Sequence, residues 1–239
     1  WDYGTGALGD MACHIMAPGF AVLGLGYPVS AECSVATRYT APWQRVYSPD
    51  SPPAASHIIL TFKGQNGKPD VKLHWMDGGI QPERPAELGP NEMMGDGGNG
   101  IIFTGDKGKM MANTYGINPR LIPVAKTKEV QVPEKYARVP EGHYQQWVDG
   151  CMAGYGNKEL SSPFEIAGFL TEMVLIGNLA IRSYDYRAPS PTRPGRFDYP
   201  GRYIKLLWDA ADMKVTNFEP ANQYVQREYR EPYQKLTLD

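Results

Sequence analysis

The stretch HIILTFKGQNGKPDVKLHWMDGG (57–79) decides the fold class of this chain. Its two strand-like segments, HIILTFKG (57–64) and VKLHWMDGG (71–79), are separated by a short turn that contains Asn66 and Gly67. This arrangement is typical of a β-hairpin. Strands joined by short turns pair antiparallel, because parallel strands need a long crossover connection. The stretch therefore predicts an antiparallel sheet.

Two further segments extend this prediction. VSAECSVATRY (29–39) alternates apolar and polar residues in part, which favours a strand. GNGIIFTGDKGKMMANTYG (98–116) predicts a second hairpin, with its bend between Gly105 and Gly108.

Two helices are predicted from spacing and length. The segment TGALGDMACHIMAPGFAVLG (5–24) has apolar residues at three- and four-residue spacing. Pro18 is expected to kink or split this helix, since proline removes a backbone donor and clashes with the preceding turn. Another helix is predicted to begin near Glu141.

The clearest helix start is SPFE (162–165), with Ser162 as N-cap, Pro163 in the first helical position and Glu165 completing a capping box. The predicted helix continues to about Tyr184. It is apolar on nearly all sides, so we expect it to be buried, against the sheet.

These elements predict one α+β domain over residues 1–239, with an open, largely antiparallel sheet and helices on one face. Loop-rich segments are expected near 80–97 and 187–201, where prolines are frequent, and a short helix is expected near 219–230.

Composition excludes several classes of partner. The formal net charge is −2, from 24 basic and 26 acidic side chains, which argues against a nucleic-acid or anionic-membrane surface. No apolar run approaches the roughly 20 residues that cross a bilayer, so no membrane partner is expected.

Three cysteines do not indicate a disulfide framework. Cysteine usage therefore does not indicate the cellular compartment.

A glycine motif at the start of the chain resembles a dinucleotide fingerprint. Gly4-Thr5-Gly6-Ala7-Leu8-Gly9 matches G-x-G-x-x-G, yet only three residues precede it, which leaves no room for the strand that the fingerprint needs. We interpret the motif as a flexible entry to a helix, whose backbone donors are free to meet a ligand, and predict no Rossmann domain in this chain.

Asp10 and His14 are the candidate catalytic pair. Four residues apart in a predicted helix, they share one face. A carboxylate beside an imidazole suits general acid–base chemistry on a hydroxyl. A metal pair is the alternative, but no other His or Cys cluster supports a third ligand, so no metal site is predicted. Taken alone, the pair also fits a helix cap and a half-buried histidine.

Both ends of the chain resemble one family. WDYGTGALGDMACHIM (1–16) followed by GFAVLGLGYPVSAE (19–32) is similar to the start of the C-terminal domain in the glucose–fructose oxidoreductase, inositol dehydrogenase and rhizopine-catabolism (Gfo/Idh/MocA) family, in its bacterial branch. The tail WDAADMKVTNFEPANQYVQREYREPY (208–233) resembles that branch's ending. With the sheet and the SPFE helix between them, the resemblance covers essentially the whole chain.

The resemblance implies a fold and an activity. The fold is the dihydrodipicolinate-reductase-like C-terminal domain, which follows an N-terminal domain that binds NAD or NADP and is missing here. The activity is oxidation of a sugar, sugar derivative or cyclitol, with His14 as proton acceptor beside Asp10. Such proteins associate through the sheet face, so a homo-oligomer is expected, in the cytoplasm or periplasm of a bacterium.

Two departures limit what the resemblance implies. The catalytic lysine of the family's Glu-Lys-Pro motif belongs to the missing domain, so this chain alone is expected to be inactive. Ala17 stands where the branch often has an aspartate, before Pro18, which leaves substrate identity open.

The remaining site predictions concern the carbohydrate or polyol substrate. The expected substrate-binding residues are Trp1, Tyr3, Thr5, His143 and Tyr144, while cofactor-binding residues are not assigned in this chain. Two other functions stay open: an NAD-dependent glycosidase of the same family, and a non-catalytic oligomerisation module.

Overall fold

The computed structural model describes residues 1–135, 137–227 and 229–231, and contains helices and open antiparallel sheets. The α-helices are α1 (Gly6–Leu23), α2 (His143–Ala153) and α3 (Phe164–Asp185). The strands are β1 (Ser30–Val35), β2 (Tyr39–Ala41), β3 (Gln44–Arg45), β4 (Ser56–Phe62), β5 (Val71–Met76), β6 (Ile101–Gly105), β7 (Gly108–Ala112), β8 (Arg120–Ile122), β9 (Ala188–Pro189), β10 (Phe197–Asp198), β11 (Leu206–Asp209) and β12 (Lys214–Val215). Short 3₁₀ helices cover Thr114–Gly116, Val124–Glu129 and Glu219–Tyr224.

The chain divides into two compact units. The first contains Trp1–Ala12, Leu25–Pro82 and the described residues from Glu172 onward, and the second contains Cys13–Gly24 and Glu83–Thr171. Two of the boundaries fall inside α1 and α3. The prediction that residues 1–239 act as one domain stays a prediction.

The first unit is built on a five-stranded sheet in the order β12-β11-β1-β4-β5. Neighbouring strands pair antiparallel, and β4 and β5 form the hairpin predicted from 57–79. Along β4 the side chains alternate between buried and partly buried, which is the period-two pattern of a strand with one face in the core. The α+β prediction is thus confirmed at the level of mixed helices and antiparallel sheets.

Helix α3 packs on the buried face of this sheet. A Cβ added to Gly177 would come within 2.6 Å of the Leu8 side chain and 3.5 Å of Ile58, so the missing side chain lets α3 approach both. The thiol of Cys33 donates to the Ala180 carbonyl at 3.1 Å. These contacts position α3 and the start of α1 against β1 and β4.

The opposite face of the five-stranded sheet is more polar. Glu32 lies on this face and forms an ion pair with Lys205 at 3.1 Å. His57 and His74 lie on it from neighbouring strands, and Leu207 is 44% exposed. The sheet is therefore amphipathic.

The second unit contains the sheet β6-β7-β8. Strands β6 and β7 form the predicted hairpin, with Gly105 paired to Gly108 across a two-residue turn. Its core is formed by Leu88, Met111 and Ile122. The second half of α1 joins this unit at Gly19, where an added Cβ would be 2.9 Å from Ile101.

The predicted helices are present, with changes in detail. Helix α1 runs through Pro18 without a break and ends before Gly24, whose φ is +61°, so the expected split is wrong. Helix α3 begins at Phe164, one residue later than predicted, because the Pro163 carbonyl accepts the first helical hydrogen bonds from Ile166 and Ala167.

Burial of α3 is also less complete than expected. Its buried residues run from Met173 to Tyr184, whereas Phe164 is 85% exposed. The apolar start of α3 is therefore a surface feature of the second unit.

The two proline-rich segments and the tail are mostly irregular. Residues 80–97 have no strand, and 187–201 contain the short hairpin β9-β10. The helix expected near 219–230 is reduced to the 3₁₀ helix Glu219–Tyr224, and Glu228 within that range lies outside the described residues.

Two helices, α1 and α3, are long and apolar enough to cross a membrane by length and composition. Core helices of soluble proteins have the same properties, and α3 is buried over much of its second half. The expectation of no membrane partner stays a prediction.

Candidate functional site

Asp10 and His14 lie one turn apart on α1, and both are exposed. Leu8, Ala12 and Ile15 are buried. Because these three recur at four- and three-residue spacing, they occupy the core side of the helix and leave Asp10 and His14 on the solvent side. The helix thus presents both groups to solvent, where a polar ligand can reach them.

The ring of Tyr115 contacts His14 edge-on. Their centroids are 5.2 Å apart and their planes are inclined by 68°. Tyr115 has a φ of +60° inside the turn Thr114–Gly116, a left-handed conformation that costs a non-glycine residue about 1–2 kcal/mol. An aromatic side chain in such a conformation is uncommon, and here it places the phenol ring beside the candidate base.

The Tyr115 turn is fixed by Asp96. The Asp96 carboxylate accepts hydrogen bonds from the Thr114 hydroxyl at 2.8 Å and from the backbone amides of Gly98 at 3.0 Å and Asn99 at 2.6 Å. These donors, with the Asn99 amide contributing most, lower the pKa of Asp96 to about 2. The carboxylate is therefore ionised at neutral pH and ties the Asp96 loop to the turn that carries Tyr115. Sequence reasoning missed Tyr115, since nothing in NTYG (113–116) specifies which ring it meets.

Trp1 lies in the first unit beside a basic and aromatic cluster. The Arg182 guanidinium is 4.2 Å from the Tyr224 ring centroid and 5.7 Å from that of Trp1, and burial lowers the pKa of Arg182. Together with Asp185 these residues line a cavity of about 210 Å³. Trp1 therefore borders a cavity whose lining includes neither Asp10 nor His14, and its substrate-binding role stays a prediction.

Tyr3 and Thr5 differ from Trp1 in their surroundings. The Tyr3 side chain is fully exposed. Thr5 lies just before α1, and its hydroxyl would be 1.8 Å from a Cβ at Gly9. Gly9 thus makes room for the Thr5 side chain.

The glycine motif has packing roles that do not suit a dinucleotide. Residues 1–5 form no strand. Gly6 has a φ of +71°, and an added Cβ there would be 2.7 Å from Pro52. Because Gly6 faces Pro52 and Gly9 faces Thr5, these two glycines do not form a phosphate cradle.

His143 and Tyr144 open α2 in the second unit. Their ring centroids are 4.1 Å apart, both residues are exposed, and none of the described residues of α2 is buried. The structure therefore places these two predicted substrate-binding residues on an exposed helix end.

Two arginines, one in the proline-rich segment 187–201 and one just after it, are engaged in stacking and ion pairs. The Arg202 guanidinium lies 3.5 Å from the Tyr199 ring centroid and 3.6 Å from Asp185, which also pairs with Arg45 at 3.1 Å. Arg193 pairs with Asp198. These contacts give Arg193 and Arg202 structural partners.

Among the residues that the structure describes, no group of three or more His, Cys, Asp or Glu side chains is placed to hold a metal ion.

Comparison with known proteins leaves the family open. No protein-family model matches the chain, and no curated protein is significantly similar to it.

Proposed function

We propose that this chain is the substrate-side part of an NAD(P)-dependent oxidoreductase that acts on a hydroxyl of a sugar, sugar derivative or cyclitol. One observation carries the proposal: Asp10 and His14 lie one turn apart on the solvent side of α1, and Tyr115 lies against the imidazole. The resemblance of both chain ends to the Gfo/Idh/MocA family supports the choice of reaction.

In the proposed reaction His14 accepts the proton that leaves the substrate hydroxyl. A bound nicotinamide cofactor would supply the hydride acceptor for the carbon that bears this hydroxyl. Asp10 lies one turn before His14 on the same side of α1. A general base of this kind contributes about 10²–10⁴-fold to the rate.

Gly6 and Gly9 of the glycine motif face Pro52 and Thr5 and not an open cradle. The proposal therefore assigns NAD or NADP, and the family's catalytic lysine, to a separate domain. The residues assigned to this chain position the substrate and transfer its proton.

The proposed substrate is a carbohydrate or polyol. The exposed Tyr115 ring beside His14 offers an apolar face to C–H groups of a sugar, while Asp10 offers a hydrogen-bond acceptor. Ala17 stands one turn after His14 on α1, where the resembling branch often has an aspartate. We therefore expect a substrate whose recognition does not require a carboxylate at this position.

Association through the sheet is a second proposed role, compatible with the first. The face of the five-stranded sheet opposite α3 combines the Glu32–Lys205 ion pair with Leu207, which is 44% exposed. Analytical ultracentrifugation tests it: a species larger than one chain is expected, and a monomer at all concentrations would contradict it.

The enzymatic proposal is tested by joining the chain to the cofactor domain expected to precede Trp1. Reduction of NAD or NADP is measured with a panel of polyols and sugars. His14→Ala should lower kcat/KM by about 10²–10⁴-fold, whereas Lys68→Gln, in an exposed turn, should not. Unchanged turnover in His14→Ala would reject the assignment.

The same experiment separates the related glycosidase reaction. That reaction uses transient oxidation of the sugar ring, so it cleaves a glycoside with no net accumulation of NADH. Cleavage without NADH would favour the glycosidase; NADH formation in proportion to product supports the dehydrogenase.

A further inference from the structure

The cavity that Trp1 borders lies wholly within the first unit and has a volume of about 210 Å³. Its lining includes neither Asp10 nor His14, so the proposed proton transfer does not use it. Pockets for ligands of drug size measure about 300–1,000 Å³. The cavity therefore suits a smaller organic molecule.

Arg182 is the cation of this cavity. It lies on α3 three residues before Asp185, so the two side chains share one face of the helix. The Arg182 guanidinium is 4.2 Å from the Tyr224 ring centroid and 5.7 Å from that of Trp1. The neighbouring Ile181 is buried and anchors this part of α3. The first unit thus holds a partly buried guanidinium in the cavity wall.

The aromatic contacts leave Arg182 without a paired carboxylate. Within the part of the chain that the structure describes, the ion pairs do not include Arg182. Asp185, which also lines the cavity, pairs with Arg45 at 3.1 Å and with Arg202 at 3.6 Å. Asp50 lines it as well, but it is exposed, so water screens its charge. An anionic ligand could therefore supply the carboxylate that Arg182 lacks.

A second cavity, of about 200 Å³, adjoins the first. The two cavities share Ser48, Ser51 and Asp185 as lining residues, and the second is also lined by Arg38 and Arg45. Together the two linings contain three arginines and two aspartates, a net charge of +1 in a chain whose formal net charge is −2. This charge balance favours an anion.

The other lining groups indicate what else the anion carries. A planar guanidinium binds a carboxylate through two parallel hydrogen bonds. The hydroxyls of Ser48 and Ser51 both donate and accept hydrogen bonds, and the Asp185 carboxylate accepts them, which suits hydroxyl groups on the ligand. The rings of Trp1 and Tyr47 add apolar faces for its C–H groups.

We propose that this cavity binds a small hydroxy acid, with its carboxylate on Arg182 and its hydroxyl groups toward Ser48, Ser51 and Asp185. The hydroxy acid is a second ligand, distinct from the substrate proposed to meet His14. Because it contacts α3 and the loop after β3 in the folded chain, it stabilises the folded state by mass action.

The test is a calorimetric titration of the 239-residue chain with sodium D-gluconate at constant ionic strength. One saturable site per chain is expected, with a Tm that rises as gluconate is added. D-Sorbitol is the matched neutral probe, because it replaces the carboxylate of the same carbon chain by a hydroxymethyl group, and it should not bind. Inorganic phosphate has the charge without the hydroxylated chain and should bind more weakly than gluconate.

Substitutions of Arg182 identify the group that binds the carboxylate. Arg182→Gln should weaken gluconate binding by at least about tenfold, because it removes charge-assisted hydrogen bonds. Arg182→Lys keeps the charge but loses the planar fork, so an intermediate loss is expected. Arg193→Gln is the matched control, since it removes the same charge from an exposed arginine of the first unit that lines neither cavity.

Ser48→Ala tests the hydroxyl side of the site and leaves Arg182 in place. It should weaken the binding of gluconate but not that of acetate, which carries no hydroxyl group. Circular dichroism checks that each variant is folded. If Arg182→Gln does not fold, Arg182→Lys and Ser48→Ala carry the test.

Four outcomes would overturn the proposal. They are the absence of saturable gluconate binding to the folded wild type, equal affinity for sorbitol, equal affinity for phosphate, and an affinity that none of the folded Arg182 and Ser48 variants changes. None of these outcomes affects the His14 proposal, whose readout is turnover.

Discussion

The imidazole of His14 meets the phenol ring of Tyr115 edge-on, with centroids 5.2 Å apart. The two residues come from α1 and from the turn that follows β7, and Asp96 anchors that turn through Thr114. An edge-to-face contact of this kind stabilises a pair of rings by about 0.5–1.5 kcal/mol. Here it restricts the orientation of the ring proposed to accept the substrate proton.

The His14–Tyr115 contact can be measured without a substrate. Tyr115→Phe keeps the ring, so the ring-current shift of the His14 Hε1 proton in an NMR spectrum should persist. Tyr115→Leu removes the ring, so that resonance should move toward its random-coil position. Tyr144→Leu, which removes the ring beside His143, is the control. A His14 resonance that responds equally to Tyr144→Leu and Tyr115→Leu would contradict the contact.

Gly78 and Gly67 form a matched pair for the role of glycine at positive φ. Gly78 has a φ of +64°, and an added Cβ would be 2.2 Å from the Ala54 carbonyl oxygen, whereas Gly67 has a φ of +76° and open space. Gly67→Ala should lower the free energy of unfolding by about 1 kcal/mol through backbone strain alone. Gly78→Ala should lower the free energy of unfolding clearly more, because the backbone at Ala54 must also move to make room for the new Cβ. Equal losses in urea denaturation would show that the close approach at Gly78 is absent.

Asn178 carries a buried amide without a hydrogen-bond partner among the described residues. The side chain of Asn222, in contrast, bonds to the amide and carbonyl of Val215 and to Glu219. Removing an unpaired buried group avoids a desolvation penalty of about 1–3 kcal/mol. We expect Asn178→Ala to raise the free energy of unfolding and Asn222→Ala to lower it. A loss of stability in Asn178→Ala would mean that the amide is paired in solution.

Cys33 should make stability depend on alkaline pH. Burial, and secondarily the Asp185 carboxylate, raise the pKa of the thiol from its ordinary value of 9.0 to about 12. A folded-state pKa above the unfolded value means that the thiol favours the folded state at neutral pH. This contribution is complete below about pH 9 and is lost as the pH rises towards 12.

The measurement compares the wild type with Cys33→Ser, which keeps a hydrogen-bond donor for the Ala180 carbonyl but does not titrate in this range. Between pH 8 and about 10.5 the wild type should lose stability faster than the variant. Iodoacetamide labelling at pH 8 gives a second readout, since exposed Cys151 should react well before Cys33. Rapid labelling of Cys33 in the folded protein would contradict the shielding of this partly buried thiol.

Local patterns were sufficient to predict most of the helices and hairpins. The Asn66-Gly67 turn predicted the β4-β5 pairing, and the turn between Gly105 and Gly108 predicted β6-β7. The apolar spacing in 5–24 also placed Asp10 and His14 on one side of α1. These predictions succeeded because each depends on residues close in sequence, whose hydrogen bonds and turn preferences the sequence specifies directly.

The predictions that were wrong, the split of α1 and the burial of the start of α3, depend on packing between residues distant in the sequence. Helix α1 continues through Pro18, so the predicted split is wrong, and packing of Gly19 against Ile101 holds the second half in place. The exposed start of α3 was also not predictable, because apolar composition alone does not say which residues find a packing partner.

The sequence by itself determined the antiparallel hairpins, the main helices and the pairing of Asp10 with His14 on one helix. Only the tertiary structure decided that Tyr115 meets His14, and that His57 meets His74 through the register of β4 and β5. The physical reason is the range of the interactions. Helix periodicity and turn chemistry act over a few residues, whereas contacts between distant side chains depend on the path of the whole chain.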